Sequence, residues 1–259
     1  MRNPEYKSLW TDQFSADGVR KYDDKFKVRW EKHIKHREQI EFIGKYLEEW
    51  MYWCDAPIGS GRLMSELQSE KMLGFDISDH FLEYNRKKGI QCVKGDLFEF
   101  GDCFSNQFDF VTSLHTIPAF LEFRKILEGF VNSLRSGGIL IVDLVNKLHS
   151  EKAPDLLPLL VDDPDKYPKG MDRDEIRQFF EGFDCEILEI RPHDFWDNYY
   201  ILNWRHYSGN WITKRIRKYL WSSLKEAYFA FGLYGVLHSF ELDQPDHRFT
   251  KYLVAVQKR

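Results

Sequence analysis

From residue 51 onward the apolar residues come in short unbroken runs, and the stretches between them carry apolar residues three and four apart. MYWCD (51–55), KMLGFDI (71–77), IQCVKGD (90–96), FDFVTSLH (108–115), ILIVDLV (139–145), CEILEI (185–190) and KYLVAVQ (251–257) have the length and apolar density of strands. GRLMSELQS (61–69), DHFLEYNRKKG (79–89), PAFLEFRKILEGFVNSLRSGG (118–138) and DRDEIRQFFEGF (172–183) predict helices. The third has Pro near its start and Gly at its end, the expected asymmetry of a helix. Strands alternating with helices predict an α/β, doubly wound, seven-stranded and mostly parallel sheet with right-handed crossovers. The unbroken apolarity of ILIVDLV suits a central strand covered on both faces.

Three segments depart from this rhythm. Residues 1–50 are polar and aromatic, and Ile34, Ile40, Ile43 and Leu47 give them the stripe of a helical cap. A Pro-rich stretch, 153–170, and a long insert, 194–249, are too large for plain connectors and are expected to form lids. Within the insert, Ile212, Ile216, Leu220, Leu224 and Tyr228 recur at helical spacing, with Lys214, Lys218 and Lys225 on another face. Such a helix at 211–231 fits peripheral membrane contact as well as a lid. The lid is the expectation, because the stretch lies between two strands of one sheet. Phe195, Trp196, Tyr199, Tyr200, Trp204 and Tyr207 would shape a pocket under it. The implied organisation is a cap at 1–50, a ligand-binding domain at 51–193 and 250–259, and the acceptor-side insert at 194–249.

Composition narrows the partners. A formal net charge of −4 gives no broad pull toward nucleic acid or anionic lipid. Cys54, Cys92, Cys103 and Cys185 form no CxxC pair and read as buried thiols in a reducing compartment, with no zinc or other metal site. MRNPEYKSLW lacks the apolar core of a signal peptide, and no apolar run spans a bilayer, so the expected location is cytoplasmic.

The chemistry centres on WCDAPIGSGRL (53–63), a strand ending in an acid and followed by a glycine turn. The turn lacks the GK[ST] of a mononucleotide P-loop, and Met64 occupies the third glycine position of a dinucleotide GxGxxG. A nucleoside carrying an amino acid, S-adenosylmethionine, fits better. Small residues admit the backbone to the ligand, the helix start favours its carboxylate, and Asp55 suits its cationic groups. Asp76, ending the second strand, can accept from both ribose hydroxyls, as an acid at that place does in NAD sites. Ligands of such sheets bind beyond the carboxyl ends of the strands, which gathers Asp55, Asp76, Asp96 and His115.

In these residues the chain resembles the class I S-adenosylmethionine-dependent methyltransferases. DAPIGSGR (55–62) is similar to their first motif, with Pro57 where Gly is usual. GFDIS (74–78), KGDLFEF (94–100), FDFVTSLHTI (108–117) and LRSGGILIVD (134–143) resemble the motifs that follow, in order and spacing. The resemblance covers roughly 50–145 and implies a Rossmann-like fold with S-adenosyl-L-methionine as cofactor. It implies that Asp55, Ala56, Pro57, Gly59 and Gly61 hold the methionine end, Asp76 and Ile77 the ribose, and Asp96 and Leu97 the adenine. Ser113, Leu114 and His115 would lie beside the sulfonium, and Tyr22 or Arg37 of the cap would reach the cofactor. His115 could take the proton of a hydroxyl acceptor. His149 and His193, after the fifth and sixth strands, are second candidates. Asp143 and Asn146 are a thin set of ligands for metal-assisted transfer. The expected activity is methyl transfer to a small molecule, to an oxygen of a sugar, nucleotide-sugar or lipid-linked glycan. The alternatives are a NAD-dependent oxidoreductase, which shares the loop and ribose acid, and a non-catalytic cofactor-binding partner subunit.

Overall fold

Period-two alternation along the strands sends neighbouring side chains to opposite faces of a sheet, and helices must cover both. A computed structural model of the chain describes residues 18–19, 30–117, 120–152, 170–195 and 245–259. The elements are α1 (Trp30–Gly44), β1 (Tyr52–Asp55), α2 (Arg62–Glu66), β2 (Lys71–Asp76), α3 (Asp79–Arg86), β3 (Gln91–Lys94), α4 (Phe100–Cys103) and β4 (Phe108–Ser113). They continue with α5 (Phe123–Ser133), β5 (Leu134–Val145), α6 (Lys147–Lys152), α7 (Arg173–Glu181), β6 (Cys185–Phe195) and β7 (Phe249–Lys258). The seven strands form one sheet in the order β3-β2-β1-β4-β5-β7-β6. Pairings from β3 through β5 are parallel, and β7 runs antiparallel to both β5 and β6.

The two faces carry separate cores. Cys54, Val111, Leu140 and Val254 point to one, where Phe100 of α4, Phe130 of α5 and Phe180 of α7 pack. Trp53, Phe110, Ile139 and Leu253 point to the other, covered by Phe42 and Ile43 of α1 and Met64 of α2. Helix α7 starts on a capping box, in which Asp172 accepts from the Glu175 amide and the Glu175 carboxylate accepts from the Asp172 amide.

Several boundaries differ from the sequence expectation, and two of the differences have a clear cause. LRSGG reads as a helix end, but Leu134 pairs with Phe108 and starts β5, and a register shift between Phe108 and Phe110 absorbs the glycines. Strand β6 runs on past Ile190 to Phe195, because β7 offers a partner down to Phe249. Of the four cysteines, Cys54 and Cys185 are buried and Cys92 is half-buried. Cys103 is exposed, which corrects its reading as a buried thiol: it ends a helix of one turn at the surface. No described helix is long and apolar enough to cross a membrane. Tyr22, most of the 153–170 loop, residues 196–244 of the insert and the 211–231 helix lie outside the described residues.

Helices α4 and α5 meet at Gly101 and Gly129, where a Cβ on Gly101 would lie 2.8 Å from the Gly129 Cα. Backbone cannot yield there as a side-chain tip can. Gly101→Val is expected to lower stability by about 1–3 kcal/mol, read as an earlier urea midpoint with the slope unchanged.

Candidate active site

The loop after β1 is built by three strand ends and α3. Ala56 N–H donates to the Thr112 carbonyl of β4, at 2.9 Å, and Ile58 N–H to the Phe75 carbonyl of β2, at 2.8 Å. The chain then turns through Gly59 (φ 51°) and Gly61 (φ 68°), both in the left-handed region that glycine enters without a Cβ penalty. A Cβ on Gly59 would meet nothing within 4 Å, whereas one on Gly61 would collide with the Asn85 side chain. Asn85, buried on α3, buttresses the loop by donating to the Gly59 carbonyl (2.7 Å) and the Phe81 carbonyl (2.8 Å). Lys88 Nζ donates to the Ser60 carbonyl at 2.8 Å. Helix α2 has only five residues, so its dipole is small, and the loop's own amides dominate the local field.

Two carboxyl groups lie buried under this loop. Asp55 is 3% exposed and accepts from Thr112 Oγ1 at 2.6 Å, and Trp53 Nε1 donates to that same hydroxyl at 2.9 Å. Burial pushes the Asp55 carboxyl up to about 8, with the Thr112 hydrogen bond opposing, Asp76 adding to the rise and Arg62 offsetting part of it. Asp76 is 5% exposed, and its Oδ2 accepts from Gly59 N–H at 3.0 Å while Oδ1 accepts from Ser78 N–H at 2.9 Å. Burial still outweighs these donors, to which Ile77 adds another, and raises Asp76 to about 6. Ser78 stands at the N-cap of α3 but its side chain makes no capping bond. Asp76 therefore ties the glycine loop to the start of α3.

Asp96 caps the 3₁₀ turn Leu97–Glu99 by accepting from Phe98 N–H at 3.1 Å, and Leu97 is buried beside it. Arg37 lies on the exposed side of α1, its Nε 3.0 Å from Glu41 Oε1. Its sequence neighbours Glu38 and Gln39 are buried, Gln39 fully so.

At the end of β4, Ser113 is fully buried, its hydroxyl without a hydrogen-bond partner among the described residues, and Leu114 is 7% exposed. The backbone turns at His115 (φ 65°), whose N–H donates to Asp143 Oδ1 at 2.9 Å. Asp143 is fully buried on β5, and Lys251 Nζ of β7 reaches its Oδ2 at 2.6 Å. The His115 ring is 36% exposed, and its Nδ1 lies 3.9 Å from Asp143 Oδ2. Its Nε2 meets the Gln39 side chain of α1, 2.9 Å from Nε2 and 3.1 Å from Oε1. Gln39 Nε2 also lies 3.2 Å from Nε2 of buried His193 on β6, whose Nδ1 is 2.8 Å from Glu38 Oε2. Sequence reasoning brought out His193 but missed Glu38, Gln39, Lys251, Thr112 and Asn85. The period of α1 alone could have placed Gln39 one position from its apolar stripe.

Asp143 and Asn146 are engaged in structure. Asn146 donates to the Asp246 and Phe249 carbonyls at 2.8 and 3.0 Å and accepts from Leu148 N–H at 3.0 Å. His149 Nδ1 lies 2.8 Å from the His247 carbonyl, and burial depresses its basicity. Both residues tie the loop after β5 to the C-terminal root of the insert. Among the described residues no group of three or more His, Cys, Asp or Glu side chains could hold a metal ion.

Comparison with known proteins agrees with this arrangement. Residues 54–142, from the β1 end to β5, match the model of a family described as a methyltransferase domain. No curated protein matches the chain. Among solved structures, a SAM-dependent methyltransferase from Thermotoga maritima, a possible histamine N-methyltransferase, is 15% identical with a TM-score of 0.56, covering 94% of this chain and 97% of that one. A SAM-dependent methyltransferase from Archaeoglobus fulgidus is 14% identical, TM-score 0.58, covering 92% and 98%. The magnesium protoporphyrin IX methyltransferase of Synechocystis PCC 6803, with bound SAH, is 11% identical, TM-score 0.59, covering 98% and 100%. At such identities the likeness is one of fold, and the family match falls on the strands and loop that build the site. Residues 54–142 therefore carry a methyltransferase domain, in a fold that the chain shares with S-adenosylmethionine-dependent methyltransferases of solved structure.

Proposed function

We propose that this domain methylates an oxygen of a small-molecule acceptor, a sugar, nucleotide-sugar or lipid-linked glycan. The observation that carries the reading is the half-exposed His115 ring at the end of β4, held between Gln39 and Asp143. The cofactor side supports it. The space over Gly59 is open, and the Asp76 carboxylate, which accepts from the backbone amides of Gly59, Ser78 and Ile77, stands at the end of β2 where the ribose hydroxyls would approach it. Asp55, with Ala56 and Pro57 leading into the turn, places a carboxyl where a cationic ligand would ionise it. Ile77, Asp96 and Leu97 stand at the next strand ends, on the ribose and adenine side. The unpartnered Ser113 hydroxyl, with Leu114, would border the methyl.

S-adenosylmethionine supplies an electrophilic methyl on a cationic sulfur and leaves as the neutral thioether. His115 takes the hydroxyl proton as the new O–CH3 bond forms. Orientation of the acceptor provides the remainder, because reacting atoms held in line need little further activation. The insert, 194–249, with its aromatic residues, is the segment we assign to covering the acceptor.

The test is S-adenosylhomocysteine release across a panel of hydroxylated sugars and nucleotide-sugars, with primary amines as the contrast. Turnover of a hydroxyl acceptor, reduced about 10²–10⁴-fold in His115→Ala, is the expected result. Turnover of amines alone would replace this reading with N-methylation.

A further inference from the structure

Strands β1 and β4 run side by side in parallel, with Trp53 opposite Phe110 and Asp55 opposite Thr112. Side chains two residues apart along a strand share a face. The Trp53 indole, the Thr112 hydroxyl and the Asp55 carboxyl therefore meet on the side of the sheet that α1 and α2 cover. All three are buried, and the indole stands edge-on to the Phe110 ring, with centroids 6.3 Å apart. We infer that Trp53 and Thr112 are positioning residues for cofactor binding: they hold Asp55 Oδ1 as a hydrogen-bond acceptor and leave Oδ2 as the oxygen that loses its proton when a cationic ligand arrives and then pairs with that ligand's charge. The inference rests on the assignment of Asp55 to the methionine end of S-adenosylmethionine.

An indole nitrogen can only donate. Trp53 Nε1, 2.9 Å from Thr112 Oγ1, therefore meets that hydroxyl as its donor. The hydroxyl has one hydrogen of its own, and Asp55 Oδ1 at 2.6 Å is the acceptor it reaches. If Asp55 carried a proton on Oδ1, carboxyl and indole would both donate to Thr112. The hydroxyl hydrogen would then be buried without an acceptor among the described residues, a penalty that a proton on Oδ2 avoids. Oδ1 thus accepts in both charge states, and ionisation changes Oδ2 alone, its proton passing to the buffer. The indole N–H also polarises the hydroxyl, which strengthens its donation to the carboxylate.

Burial raises Asp55 to about 8, and the Thr112 hydrogen bond is the largest effect opposing it. Asp76 on β2 adds to the rise, and Arg62 at the start of α2 offsets part of it. Without the hydroxyl, a ligand's ammonium group would have to overcome more of the burial penalty before Asp55 could pair with it. Trp53 and Thr112 act through Asp55, so their effect is confined to ligands that carry the amino acid.

The experiment is calorimetric titration of the full-length chain from about pH 6 to 9 with two ligands. S-adenosylhomocysteine carries the amino acid, and 5′-methylthioadenosine has the same nucleoside and thioether without it. Thr112→Val, close in shape and without the hydroxyl, is expected to weaken S-adenosylhomocysteine about 10–100-fold at pH 7 and to move its rise in affinity up by about one to two pH units. Binding of 5′-methylthioadenosine should stay within about threefold, and Thr112→Ser, which keeps the hydroxyl, should restore both affinity and midpoint. A merely structural role would weaken the two ligands alike and leave the midpoint in place. The unaltered chain gives a second measurement that does not depend on how the Thr112 variants fold. The Trp53 indole N–H signal in nitrogen–proton NMR should shift as Asp55 ionises, near its value of about 8, and the shift should vanish in Asp55→Asn. An indole signal indifferent to pH, or a Thr112→Val variant that binds both ligands normally or loses both alike, overturns the inference. Failure of the unaltered protein to bind either ligand would instead remove the cofactor-site reading. Binding of S-adenosylhomocysteine without pH dependence would remove the assignment of Asp55 to the methionine end.

Discussion

Asp76→Ala is expected to weaken S-adenosylmethionine and S-adenosylhomocysteine about 10²–10⁴-fold, from the loss of two charge-assisted hydrogen bonds of roughly 1.5–3 kcal/mol each. The loss is compounded by the loop itself. Asp76 holds Gly59 N–H and Ser78 N–H, so the alanine leaves buried donors unpaired exactly where the ribose would sit. Asp76→Asn separates the two contributions. Its one carbonyl oxygen can keep one amide, and its NH2 group faces the other donor-to-donor, so it should bind little better than the alanine. Isothermal titration calorimetry with both adenosyl ligands checks this, with NAD as the control and circular dichroism to establish that the variant is folded. Binding of the alanine variant within threefold of the unaltered protein would sink the assignment of Asp76 to the ribose.

Cofactor binding near neutral pH should also release a proton from Asp55. With its carboxyl raised to about 8 by burial, Asp55 is mostly protonated at pH 7 in the free protein. A cationic ligand beside it favours the charged form, so affinity should rise about tenfold per pH unit between roughly 6 and 8 and level off above that. Titrations in buffers of different ionisation enthalpy count the proton directly, and Asp55→Asn should abolish both the proton release and the rise in affinity between pH 6 and 8. Asp76, raised to about 6, adds a fall in affinity below that pH, because a protonated carboxyl accepts fewer hydrogen bonds. Stability of the free protein moves the other way. For a carboxyl whose folded value lies above its unfolded value of 3.8, the contribution is fully present below pH 4 and is lost as pH rises toward 8. Asp55→Asn should therefore stabilise the free protein at pH 8, by an amount of the order of a few kcal/mol. Equal urea midpoints at pH 8 for the variant and the unaltered protein would contradict that buried charge.

Much of the proposed site can be read along the chain because the residues assigned to the cofactor close a strand or follow its end. Asp55, Asp76, Asp96 and Ser113 follow apolar runs whose lengths set where the sheet ends, and in a parallel sheet those ends lie on one edge. The left-handed turn at Gly59 and Gly61 was legible for the same local reason, since few other residues enter that region. The start of β5 was not, because LRSGG ends helices as readily as it starts strands, and only pairing with Phe108 decides between them. Asn85 also escaped notice. A polar residue on the buried face of α3 gains its meaning from the Gly59 carbonyl, 26 residues away.

The sequence by itself determined the alternation of elements, the two-faced strands, the glycine turn and the order of acids at the strand ends, because these follow from periodicity and backbone freedom within short windows. Only the tertiary structure decided how the reacting end is furnished. Gln39 meets His115 across 76 residues and His193 across 154, on a helix whose local pattern announces nothing but a buried face. The raised carboxyls of Asp55 and Asp76 are likewise a product of burial, since desolvation depends on what the fold stacks over a residue and not on its neighbours in the chain.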